Sequence, residues 1–145
     1  MMIKTGCCIL AITLSAFAGI VYTPTWTELQ AVRFRQKYND EVKGNVDFPD
    51  FPSNIKKMEG RLVKVAGYII PWDETGESVA ISANPNKTCY FCGNAGPLSV
   101  MDVKLRNKKQ RFKVDEFRTF TGTLELNDSD IHQLFYVLND AAPVK

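Results

Sequence analysis

The sequence predicts a mainly β domain, with five strands closing into a small barrel behind an N-terminal amphipathic helix. Three observations carry that expectation. Over residues 54–145, apolar and polar residues alternate with a period of two, which places one face of a strand inward and the other outward. Two of these runs carry a central glycine, Gly67 and Gly122, where a strand of a small barrel bulges or bends. The whole chain is 145 residues, enough for one ordinary domain with a single core.

The N-terminus reads as a targeting segment. Lys4 supplies a positive start, and Gly6 to Tyr22 carries no charge and is mostly apolar. Ala16-Phe17-Ala18 has the small-x-small form of a signal-peptidase site. Residues 1–18 are therefore expected to be a signal peptide, with an uncleaved N-terminal membrane anchor as the alternative. Cys7 and Cys8 sit ahead of the apolar core and not behind it, so they do not form a lipobox. Cleavage leaves two cysteines, Cys89 and Cys92, in an exported chain.

Residues 19–53 read as a helix and an extended linker, and residues 54–145 as the barrel domain. Thr25 with Glu28 three residues on makes a capping-box pattern. Trp26, Leu29 and Phe34 share a helical face, with Arg33, Arg35 and Lys37 elsewhere, so a short amphipathic helix is expected from Trp26, ending before Gly44. Phe48-Pro49-Asp50-Phe51-Pro52 is extended, because each proline restricts its predecessor, and the two phenylalanines should pin it to the barrel. The strands then follow in order. They are Arg61 to Trp72, Glu77 to Ala83, Leu98 to Leu105, Phe117 to Leu126 and Phe135 to Asp140. Asn127-Asp128-Ser129-Asp130 should cap a helical turn over Ile131 to Leu134.

The run Glu59 to Ile69, with Gly67, looks like the first strand of an OB-fold barrel, and Phe120 to Leu126, with Gly122, like its later glycine-bearing strand. Four motifs carry a closer resemblance: Gly67-Tyr68-Ile69-Ile70-Pro71, Ser82-Ala83-Asn84-Pro85-Asn86, Cys89-Tyr90-Phe91-Cys92-Gly93 and Leu126-Asn127-Asp128-Ser129-Asp130. Over most of residues 45–142 the chain resembles a bacterial family of small exported domains of unknown function, of lipoprotein or periplasmic type. The resemblance implies an exported OB-like barrel and supplies no reaction.

The chemistry-bearing residues are few. Cys89 and Cys92 stand in a turn-rich loop. Cys-x-x-Cys-Gly resembles one knuckle of a zinc ribbon, and His132, the one histidine, is the remaining candidate ligand, with Asp128 or Asp130 beside it. Two chains sharing one zinc through four cysteines is a variant of that reading, and so a homodimer. A disulfide suits an oxidising compartment, although so small a loop gains little stability from one. A thiol-disulfide oxidoreductase would need a thioredoxin-type setting that the sequence does not display. Tyr68, Trp72, Tyr90 and Phe91 are candidates for an aromatic ligand surface on the barrel.

Eighteen lysines and arginines against sixteen acids give a net charge of +2, which demands no nucleic-acid partner, and export argues against one. Lys104, Arg106, Lys108, Lys109, Arg111 and Lys113 form a basic run that reads as a solvated hairpin or a contact for an anionic envelope surface. No hydrolase, phosphate-loop or metalloprotease motif is present. The expectation is therefore a periplasmic or membrane-anchored binding or assembly module, not an enzyme. Its partner would be an envelope protein or an anionic surface, with membrane contact through the N-terminal segment if that is retained.

Overall fold

The computed structural model describes residues 19–71, 78–86 and 95–145. Its elements are α1 (Trp26–Gln30), β1 (Arg33–Asn39), β2 (Gly44–Asp50), α2 (Ser53–Lys56), β3 (Leu62–Pro71), β4 (Ser78–Ser82), β5 (Val100–Leu105), β6 (Phe117–Leu126) and β7 (Tyr136–Pro143). A 3-10 turn at Pro97–Ser99 leads into β5. The barrel closes in the order β3-β4-β5-β7-β6, with β6 returning to β3. Every neighbouring pair is antiparallel except β5 with β7. The fold is thus the expected OB-like barrel, and its five strands fall where the alternating pattern put them.

Alternation explains the core. On β3 the odd positions Val63, Val65 and Ile69 point inward, and on β6 Phe120 and Leu124 do so. Met101, Val103 and Leu105 of β5 meet them from across the barrel. The two mid-strand glycines occupy inward positions in the same series. A Cβ on Gly67 would stand 2.8 Å from the Ser82 carbonyl oxygen. A Cβ on Gly122 would stand 2.7 Å from Asn139 O and 2.8 Å from Leu138 Cγ.

Gly122 faces a one-residue bulge on β7. From β5, Val103 pairs with Leu138 but Leu105 with Ala141. From β6, Thr123 pairs with Asn139 but Thr121 with Ala142. Both neighbours register one extra residue, and Asp140 there adopts a left-handed φ of 51°. The bulge resets the parity of β7, so that Leu138 and Ala141, three apart, both enter the core.

The N-terminal segment is built into this core. Tyr22 donates its N–H to Leu62 O (3.0 Å) and accepts from Lys64 N (2.7 Å). It fills the edge of β3 that β4 leaves open, since β4 begins to pair only at Tyr68. Further along that edge, Trp26 Nε1 donates to Ala66 O (2.7 Å). Leu29, Phe51, Ile55 and Met58 close one end of the barrel. The Tyr136 hydroxyl, fully buried, donates to Leu29 O at 2.7 Å. Burial pushes the Tyr136 pKa well above the usual tyrosine range, so the hydroxyl stays a donor.

The capping box of Thr25 and Glu28 is formed, but the helix it starts is only five residues long. The stretch from Arg33, expected to continue that helix, is a strand paired with β2. Its residues also alternate: Arg33, Arg35 and Lys37 share one parity, Phe34, Gln36 and Tyr38 the other. Asn39 Oδ1 accepts from Glu41 N and Val42 N, and Lys43 takes φ 53°, which turns the chain into a hairpin. Tertiary pairing therefore decides between two periodicities the segment carries. Phe48 and Phe51 are buried, as their pinning role required.

Gly122→Ala should destabilise the protein by about 2–3 kcal/mol, because the added methyl meets atoms of Leu138, Asn139 and Ala141 on β7, which is held between β5 and β6 and cannot retreat freely. Gly96→Ala, with nothing within 4 Å and an ordinary φ of −74°, should stay within about 0.5 kcal/mol of wild type. Urea unfolding of the two variants checks the contrast.

Candidate functional site

The β1–β2 hairpin docks on the connection between β6 and β7, residues 127–135. Lys37 Nζ donates to Asp128 O and lies 3.3 Å from its carboxylate, and Arg35 approaches the same carboxylate at 3.4 Å. Lys37 also sits over the Phe48 ring, 5.5 Å from its centroid. Phe135 meets Phe34 and Phe48 at 5.8 and 6.5 Å between ring centroids. At the hairpin tip, His132 Nε2 is 2.7 Å from Glu41 Oε1. Both of those side chains are more than 60% exposed, so the pair adds little stability.

Between hairpin and connection lies a groove of about 270 Å³. Val46, Phe48, Ile131, Leu134 and Phe135 form its apolar walls, and Pro97 closes one side. Asp47, Asp130, His132 and Gln133 stand at its polar rim.

Asn127 builds the wall formed by the connection. It is buried, its Oδ1 accepts from Ser129 N and Asp130 N, and its Nδ2 donates to Asp130 O and Gln133 O. Asp130 in turn accepts from His132 N at 2.8 Å. Residues 131–134 thus form a side-chain-braced turn and not the expected helical one. Asp128 and Asp130 are spent on the hairpin and the turn. Gln133 Nε2 and Asn139 Nδ2 both donate to Glu125, at 2.8 and 2.6 Å. These two bonds, Gln133's first, hold the Glu125 pKa below its ordinary 4.5.

Of the residues singled out from sequence, His132 and Tyr68 can be placed. His132 is on the groove rim. Tyr68 is half-buried on β3, edge-on to Phe117 with ring centroids 5.0 Å apart, and does not reach the groove. Cys89, Cys92, Trp72, Tyr90 and Phe91 lie outside the described residues. The described residues on either side of the cysteine segment are held by hydrogen bonds. Asn86 N donates to Asp115 Oδ1 at 2.6 Å, Ser99 Oγ donates to Gly96 O at 2.6 Å, and Ala83 N donates to Ser99 O at 2.9 Å. Among the described residues, no group of three His, Cys, Asp or Glu side chains is placed to hold a metal ion. The six cations of the basic run are exposed, while Leu105 between them is buried and the partly buried Phe112 packs on Phe120.

The fold and groove define a small OB-like barrel carrying an accessory hairpin. No protein-family model and no curated protein matches the chain. Among solved structures it is similar to a DUF3299 family protein from Pseudomonas aeruginosa PAO1, with a TM-score of 0.51 and 12% identity over 88% of this chain and 97% of that one. At that identity the likeness shows the fold alone.

The depressed Glu125 pKa sets the sign of a pH effect. Its contribution is complete above 4.5 and is lost as pH falls through the lower folded value. Glu125→Gln should therefore flatten the acid limb of stability, seen in melts taken down through the carboxylate range. Asn127→Ala should cost about 2–3 kcal/mol by leaving buried backbone groups unpaired, and should speed amide exchange first in residues 127–135.

Proposed function

We propose that this chain is an exported cell-envelope binding module whose groove seats an extended, apolar segment of a protein partner. The observation that carries the reading is the groove itself, with apolar walls and a polar rim. Its 270 Å³ lies below the roughly 300–1,000 Å³ of small-molecule sites, and suits one or two side chains better than a cofactor. β2 lines it and, among the described residues, pairs only with β1, so its second edge offers backbone groups to an added strand. A photo-crosslinking residue at Ile131 should give one adduct in intact cells, and Leu134→Gln should abolish it. An adduct pattern matching that from a crosslinker at Lys109 would overturn the reading.

A second reading has Cys89 and Cys92 as the working groups, holding zinc with His132, forming a disulfide, or exchanging one. It is favoured by Pro97, which lies on the groove with His132 and only five residues beyond Cys92 in the chain. A native mass spectrum of protein purified without chelator separates the forms. One bound metal, lost in Cys89→Ser/Cys92→Ser and weakened in His132→Ala, supports the metal site. A doubled mass with one metal supports a site shared by two chains. A mass lower by two hydrogens supports the disulfide, whose reduction potential then tests exchange. The free-thiol mass leaves the groove as the functional element.

A further inference from the structure

A second surface, independent of the groove, surrounds the place where the N-terminal segment meets the barrel. The uncharged run from Gly6 ends at Tyr22, and Tyr22 is fixed on β3 by its two backbone bonds to Leu62 and Lys64. Residues 19–21, which lead to it, therefore join the domain at one defined corner. Ile20, Val21 and Leu62 are exposed there, at 76%, 44% and 43%. Arg61 and Lys64 flank this part of β3, where Lys64 N bonds Tyr22, and Lys57 lines one cleft with Tyr22; these three and Lys56, next to Lys57 in the chain, are all exposed. None of these four cations forms an ion pair with a described residue. The nearby acids are Glu28, which the capping box occupies and Lys57 influences from a distance, and Glu59. Among the described residues no helix is long and apolar enough to cross a membrane.

We propose that this corner is a membrane-apposed face that binds the anionic headgroups of a phospholipid bilayer. Exposed aliphatic residues with lysine and arginine beside them match the interface, where apolar side chains enter the headgroup layer and cations meet phosphate. The direction of the preceding chain supplies the second argument. If the apolar run is kept as an anchor, it emerges from the bilayer at Tyr22 and brings these four cations against the headgroups. If it is removed, the cations and the Ile20-Val21 stub remain as a weaker, salt-sensitive contact.

The test is lysine acetylation footprinting read by mass spectrometry, on the chain as recovered from cells. The protein is mixed with, or where the apolar run is retained reconstituted into, phosphatidylcholine vesicles with and without phosphatidylglycerol. Lys56, Lys57 and Lys64 should be protected by about tenfold with phosphatidylglycerol, and Lys108 and Lys109 should not. High salt should remove the protection in cleaved protein. The variant K56Q/K57Q/R61Q/K64Q should weaken vesicle binding about tenfold with its melting unchanged. Equal reactivity of all lysines would overturn the proposal. Protection confined to Lys108 and Lys109 would also overturn it and move the lipid contact to the basic run. Protection without dependence on phosphatidylglycerol would overturn the headgroup assignment.

Discussion

The rest of the molecule depends on the contact between Gly122 and the β7 bulge. Five strands cannot close with every pair antiparallel, and here β7 lies parallel to β5 and antiparallel to β6 while keeping apolar residues inward. β7 does this by spending one residue, Asp140, in the left-handed region. The strain is met from outside by Arg106, whose Nε and one terminal nitrogen grip the Asp140 carboxylate at 2.9 and 2.8 Å. It is met from inside by the missing side chain of Gly122, which lets the bulged backbone approach β6. The Arg106–Asp140 pair is well exposed, so its role is to fix the shape of the bulge more than to add stability.

The same bulge reaches the groove. Asn139 lies beside Asp140, and its amide donates to one oxygen of Glu125 while Gln133 donates to the other. Glu125 thus ties the bulge to the connection that follows β6. Asn127, two residues on, braces that connection through four bonds, and the connection presents Ile131, Leu134 and Phe135 to the hairpin. A strand irregularity therefore positions the groove wall on a loop.

The barrel was legible because period-two alternation and two inward glycines are local signals that tertiary packing here reinforces. The asparagine turn was legible too, although the helical form expected of it does not occur, since side-chain bonds from Asn127 replace the helical ones. The hairpin was hidden by a real capping box. Thr25 and Glu28 do start a helix, and nothing before Val32 says that the following alternation will find a partner in residues 44–50. The groove could not be read at all. Its walls come from residues 46–48, 97 and 131–135, and neither His132 nor Phe48 signals from sequence that they share one cleft.

The N-terminal segment gives this barrel its distinctive construction. Tyr22, Trp26 and Leu29 are each bonded to the barrel, two on the open edge of β3 and one beneath Tyr136. Loss of the segment would expose backbone groups on β3 and leave a fully buried tyrosine hydroxyl unpaired, a cost well above that of trimming a surface tail. The hairpin follows directly from this strap, so the groove wall it supplies inherits the strap's fixed position. Chain entry, barrel closure and groove geometry are consequently one mechanical unit, joined through Leu29 and Tyr136 on one side and through Glu125 on the other.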